Sequence, residues 1–166
     1  MISTAFVARF QHLWKRQTQT DHAARPVAAG APPALTCSVT LLVAPAPLTV
    51  LTAQGVLDRR TCATLLARAG ELYAQGCRRL LVDLRGVTRI ELAGHFALHN
   101  VARLYHGEPL LDPEEGWAVL HGAATVVTGY DRVQLLASSP LATVIQQAEL
   151  CRHLAVYPDL ASALAT

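Results

Sequence analysis

The sequence predicts an α/β domain. Short β-prone runs alternate along the chain with segments whose apolar residues recur at helical spacing. One run, residues 80–84, is apolar apart from Asp83, as in a strand covered on both faces. Capping and turn-forming residues stand at the junctions between segments. The 166 residues are enough for one domain of ordinary size with extensions. Charged residues make up 16% and hydrophobic residues 52%, a balance that suits a packed core and argues against a disordered chain.

Residues 4–16 place Phe6, Val7, Phe10, Leu13 and Trp14 at helical spacing beside Arg9, Lys15 and Arg16. That spacing predicts an amphipathic helix within residues 1–17. Residues 18–36 are rich in Ala, Pro, Gly and Thr and read as a linker. The domain proper is expected over residues 37–166. Runs at 39–43 and 48–55, parted by Pro45 and Pro47, read as a first strand pair. Asp58 stands where it can cap the next helix, in which Cys62, Leu66, Ala69 and Tyr73 share a face and after which Gly76 follows.

The central strand at 80–84 comes next, ending near Asp83. A helix over 94–106 then turns Leu98, Val101, Ala102 and Tyr105 inward. Within residues 107–130, Asp112 and Pro113 give a cap-and-first-turn signal, Glu114 and Glu115 suit a helix start, and Trp117, Leu120, Ala124 and Val127 share a face. An inserted helix is expected there. Residues 133–136 read as a strand, and Ser139 and Pro140 start a helix bearing Leu141, Val144, Ile145 and Ala148. Residues 154–157 form a last strand, and a short helix closes the chain over 158–165.

Several function classes are disfavoured. A net charge of +2 gives no general attraction to nucleic acid, so none is expected as a partner. No apolar run approaches the roughly 18 residues of a spanning helix. The amino-terminal segment has no secretory pattern, so a cytoplasmic location is expected. The 4 cysteines lie far apart without a C-x-x-C pair and read as buried, reduced thiols. No nucleophile–base pairing, P-loop, G-x-S-x-G elbow or H-E-x-x-H run is present, and Ser138, Ser139 and Pro140 read as a helix cap. A catalytic role and a cofactor are therefore not expected. His95, His99 and His106 fall along one stripe with Arg103, and Glu91 precedes His95 by four positions. A zinc face competes with a solvated polar stripe as the reading, and the stripe is preferred because Glu91 falls in a turn. Titration near neutral pH is a further role for these histidines.

The run Gly55-Val56-Leu57-Asp58, followed by a helical segment and then Leu80 through Gly94, resembles the core of the STAS domain. That family is named after sulfate transporters and anti-sigma factor antagonists. The resemblance spans roughly residues 39–165 apart from the insertion. It implies a mixed sheet with helices mainly on one side. It also implies a non-catalytic binding module of bacterial partner switching, whose partner is an anti-sigma factor kinase or a related regulatory protein. Family members carry an Asp-Ser-Ser/Thr-Gly loop in which the second hydroxyl residue is phosphorylated.

Here Glu91 stands for the Asp, Leu92 for the first hydroxyl residue and Ala93 for the acceptor, with Gly94 retained. A methyl group takes no phosphate, and a permanent carboxylate carries less than the charge of a phosphate and cannot switch. The resemblance places docking on Leu57, Asp58, Ile90, Glu91, Leu92, Ala93, Gly94 and His95. Gly94 is expected to admit a partner's close approach, so that Gly94→Arg blocks docking and spares the fold. Thr88 and Thr61, the nearest other hydroxyls, read as ordinary strand and helix-start residues. The rival within the family is an accessory STAS protein of a lipid-transport ABC system that binds its cytoplasmic ATPase. The apolar faces of the amino-terminal and inserted helices are expected to pair with each other, a second copy or a partner, giving self-association. For the amino-terminal helix, protein docking is preferred over an anionic membrane surface.

Overall fold

A computed structural model describes residues 35–42, 47–112, 131–148, 151 and 153–165. The expected helix within residues 1–17, most of the linker and the expected inserted helix from Pro113 onward lie outside them. So do the apolar faces on which self-association rests. Within the linker range, Leu35 is already buried in the core and Thr36 opens the first strand.

The described residues form five strands and four helices: β1 (Thr36–Leu42), β2 (Leu48–Leu57), α1 (Cys62–Ala74), β3 (Leu80–Ile90), α2 (Leu92–His106), β4 (Val133–Leu136), α3 (Ser139–Gln147), β5 (Ala155–Tyr157) and α4 (Leu160–Leu164). The sheet runs in the order β1-β2-β3-β4-β5. β1 and β2 pair antiparallel and every later pair is parallel. Parallel neighbours need a crossover, and α1 supplies the one from β2 to β3, as α3 does from β4 to β5. The fold is the mixed α/β sheet with flanking helices that the sequence predicts.

Alternation along the strands sorts the side chains. Leu51 and Ala53 of β2, Leu80, Val82 and Leu84 of β3, and Leu135 of β4 face the main core. There they meet Leu65 and Ala69 of α1, Leu98 and Val101 of α2, and Ile145 of α3. Val50, Leu81 and Leu136 point to the opposite face, where Leu160 and Ala163 of α4 cover them. This is why residues 80–84 are apolar apart from Asp83.

β3 continues past the predicted end to Ile90, because its pairing with β2 runs on to Leu57 through two register shifts. The extension was hidden in the sequence because Arg85, Gly86, Thr88 and Arg89 are exposed and break the apolar pattern. In α3 only Leu141 and Ile145 are buried. Val144 is 44% exposed, because the helix presents a single narrow face to the sheet.

α1 and α2 pack side by side through Tyr105, whose hydroxyl donates to the Ala69 carbonyl at 3.3 Å and whose ring meets Tyr73 edge-on at 5.3 Å. α2 ends at Gly107, whose φ of 77° is the left-handed conformation that closes helices. The chain then folds back along α2 through the fully buried Asn100. Its side-chain amide donates to the Leu111 carbonyl at 3.1 Å, and its oxygen accepts from the Leu111 N–H at 2.9 Å. Nothing in the sequence marked Asn100 as a clamp. Asn100→Ala leaves both backbone groups of Leu111 unpaired and buried. We expect it to lower unfolding stability by about 2–3 kcal/mol, read from urea melts.

Asp83 lies within β3 rather than at its end. Arg85 grips it with two hydrogen bonds, Nε to Oδ1 at 2.9 Å and Nη2 to Oδ2 at 2.7 Å. That grip holds the Asp83 carboxyl below its ordinary pKa although burial opposes it. A depressed carboxylate contributes stability above its unfolded pKa and loses it as pH falls through the folded value. Thermal melts between neutral and acid pH should therefore fall less steeply for Asp83→Asn than for the native chain.

Candidate docking surface

β2 and β3 end side by side, with Leu57 opposite Ile90 and the Glu91 N–H donating to the Leu57 carbonyl at 2.9 Å. The two segments that follow, the turn from Asp58 and the start of α2, are thus held next to each other.

The first segment is closed by its own side chains. Asp58 Oδ1 accepts from the N–H groups of Arg60 at 2.8 Å and Thr61 at 3.1 Å. The Thr61 hydroxyl accepts from the Asp58 N–H at 2.9 Å and donates to the Val56 carbonyl at 2.7 Å. The residue that flanks α1 is Thr61. Asp58, expected to cap the helix, makes the capping bonds three residues ahead of Thr61, and its carbonyl also accepts from the Cys62 N–H at 2.9 Å.

In the second segment Glu91 is extended and precedes α2, but its side chain makes no cap. A glutamate carries one methylene more than the residues that cap well. It turns outward to Arg89, with Nη2 to Oε1 at 3.0 Å. Leu92, the first residue of α2, is 48% exposed, and Ala93 is half-buried. Gly94 is buried, and a methyl group there would sit 2.7 Å from the Leu57 carbonyl oxygen and 2.8 Å from Ile90 Cγ1 and Leu57 Cγ. The close approach at Gly94 is therefore made by this chain's own strand end. The expectation that Gly94→Arg spares the fold is corrected accordingly.

Of the eight residues that the resemblance places at the docking surface, the structure brings Asp58, Ile90, Glu91, Leu92 and Ala93 to the surface in whole or in part, and buries Leu57, Gly94 and His95. The buried three shape the turn from beneath. His95 is buried, its Nε2 has no hydrogen-bond partner among the described residues, and burial pushes its pKa down. His99 is fully buried. The reading of this stripe as solvated is therefore wrong: α2 packs on the sheet, on α1 and on the returning Leu111, which together cover most of its circumference. Glu91, turned to Arg89, does not converge with the buried histidines. Among the described residues no group of three or more His, Cys, Asp or Glu is arranged to hold a metal.

Neither neighbouring hydroxyl resembles a replacement acceptor. Thr61 is buried with its hydroxyl committed to Val56 and Asp58. Thr88 is exposed, but its hydroxyl donates across the ladder to the Gly55 carbonyl at 3.1 Å. Cys62 and Cys151 are buried thiols pushed up to about 12 by desolvation, which leaves them unreactive. The sequence reading missed the cations of the turn, Arg59, Arg60 and Arg89, all exposed. Their signal was position: each lies within three residues of the family motif.

Two strand ends here set a short turn beside an open helix start. Residues 44–109 match the family model described as Mlab, STAS domain. Over that stretch the chain resembles a STAS domain. An anti-sigma factor antagonist from Mycobacterium paratuberculosis superposes with a TM-score of 0.55 at 20% identity, covering 82% of this chain and 97% of its own. That likeness establishes the shared fold. An uncharacterized DUF3478-family protein with a SpoIIAA-like fold, from Shewanella loihica, aligns at 11% identity and a TM-score of 0.43 over 84% of this chain and 98% of its own. No curated protein matches the chain. The helix expected from Gly94 starts two residues earlier, at Leu92, which puts the retained motif glycine inside the first turn.

Gly94→Ala tests the internal contact. The Leu57 carbonyl is backbone and cannot swing aside, so overpacking should destabilise the domain by about 1–3 kcal/mol, measured by urea unfolding.

Proposed function

We propose that this chain is a non-catalytic protein-binding module that docks a partner through the turn formed by Asp58, Ile90, Glu91, Leu92 and Ala93. The role resembles that of an anti-sigma factor antagonist acting in the cytoplasm in bacterial partner switching. The partner is a kinase-type anti-sigma factor or a related regulatory protein. The observation that carries the reading is a turn tied down by its own backbone and carrying an exposed Leu92. Its carboxylates, Asp58 and Glu91, are engaged by this chain's own donors.

Ala93 at the acceptor position makes docking constitutive. A phosphate there would bring up to about two negative charges onto the surface and repel the partner. Here no hydroxyl exists to receive it. The same feature favours a second reading, an accessory STAS protein that binds the cytoplasmic ATPase of a lipid-transport ABC system, since a permanent subunit needs no switch.

Affinity capture from host extract on the native chain and on Leu92→Glu separates these readings. The expected result is a kinase-type anti-sigma factor retained by the native chain and lost from the variant. An ABC ATPase with the same dependence supports the second reading. Partner retention indifferent to Leu92→Glu contradicts both. Incubation of the chain with the captured kinase and ATP should add no mass. A stoichiometric phosphate on Thr88 or Thr61 would contradict constitutive docking.

A further inference from the structure

Among the described residues the sheet has two edges, β1 and β5, and they differ in kind. β5 has 3 residues, too few to offer much to another strand. β1 has 7, and it pairs with β2 without a register shift. Its sequence, Thr-Cys-Ser-Val-Thr-Leu-Leu, contains neither a charge nor a proline. It therefore lacks every device that keeps an edge from pairing: brevity, charge, proline or a bulge. Thr36, Ser38, Thr40 and Leu41 are exposed, and Leu41, at 63%, is the most exposed large hydrophobic among the described residues. Alternation gives the strand two unlike faces. Cys37 and Val39 pack against the main core, and Leu41 continues their row beside Leu72 of α1. Thr36, Ser38 and Thr40 take the other side.

We infer that β1 pairs antiparallel with β1 of a second copy, joining two five-stranded sheets into one. A two-fold axis at Val39 opposes Val39 to itself, Cys37 to Leu41 and Ser38 to Thr40, and it engages the whole length of both strands. Opposed residues then share a face. Apolar side chains meet on the helix side and hydroxyls meet on the other, with Thr36 opposite Leu42 at the two ends. Charge and pattern favour a second copy over a foreign strand. The edge carries no charge with which to select a foreign sequence, and a copy brings none to repel it. A copy also supplies the alternation that covers Leu41, by setting Cys37 of the other copy beside it. Thr36 pairs with Gln54 toward the end of β2 that leads to Asp58, so the two-fold sends the two docking turns to opposite ends of the joined sheet. Which partner docks there makes no difference to the pairing.

Sedimentation velocity on the intact chain should give twice the monomer mass. Ser38→Lys combined with Thr40→Lys sets lysines opposite one another across the axis and should return the monomer. Both positions are exposed, so the fold should tolerate the charges. Gln146→Lys with Gln147→Lys makes the same charge change on the exposed side of α3 and should leave the dimer intact. Leu41→Cys reads the register. Oxidation should join the new thiol to Cys37 of the other copy, because opposed Cα atoms of antiparallel strands stand about 4.5–5.5 Å apart, within disulfide reach. Within one chain the two positions lie about 13 Å apart along the strand, too far to bridge. Peptide masses identify the link, and circular dichroism of each variant checks the fold. Should the lysine variant fail to fold, the link alone decides. A monomeric native chain, a dimer that survives both lysines, or a link to any thiol other than Cys37 overturns the inference.

Discussion

The parallel pairing of β2 with β3 is the constraint on which the rest of this structure depends. It runs from Thr49 opposite Leu80 to Leu57 opposite Ile90, and the Glu91 N–H extends it by one more bond to Leu57. Both strands are clamped between packed faces, Leu51, Val82 and Leu84 on one and Val50 and Leu81 on the other. A slip of one residue would exchange those faces, so the register is strongly specified. Because the register is specified, the positions of Asp58 and Leu92 relative to each other are specified too. The proposed docking surface inherits its geometry from the core.

Glycine completes that transfer. With no side chain at Gly94, the first turn of α2 settles directly on the Leu57 carbonyl, and the helix begins at Leu92 instead of later. A conserved-looking motif residue of this kind invites a functional reading, but its burial assigns it to the chain's own packing. Ala93 is not needed to hold the turn, since the Asp58–Thr61 exchange and the strand-end bond secure it without help from that side chain.

The sheet was legible because burial on both faces leaves a mark in composition. Leu80 to Leu84, Val133 to Leu136 and the strand around Val50 announce themselves as apolar runs. The last third of β3 left no such mark, since Arg85, Thr88 and Arg89 pair only through the backbone ladder and face solvent. Asp58, Glu91 and Leu92 were found through the motif. The burial of His95 and His99 was not, because a polar stripe on a helix reads as solvated until the neighbours that cover it are known. Asn100 is the sharper case: its partners are backbone atoms of Leu111, and a bond to backbone carries no residue signature.

The account holds that the turn is fixed by the sheet and stands ready to dock without a covalent signal. Amide hydrogen exchange under native conditions tests this most directly, at the N–H groups of Glu91 and His95, which bond to the carbonyls of Leu57 and Glu91. If the turn is locked, both amides exchange as slowly as those of Leu81 and Val82, through global unfolding. Exchange at the rate of a frayed loop, with β3 still protected, would mean that the turn opens independently of the sheet and would contradict the account.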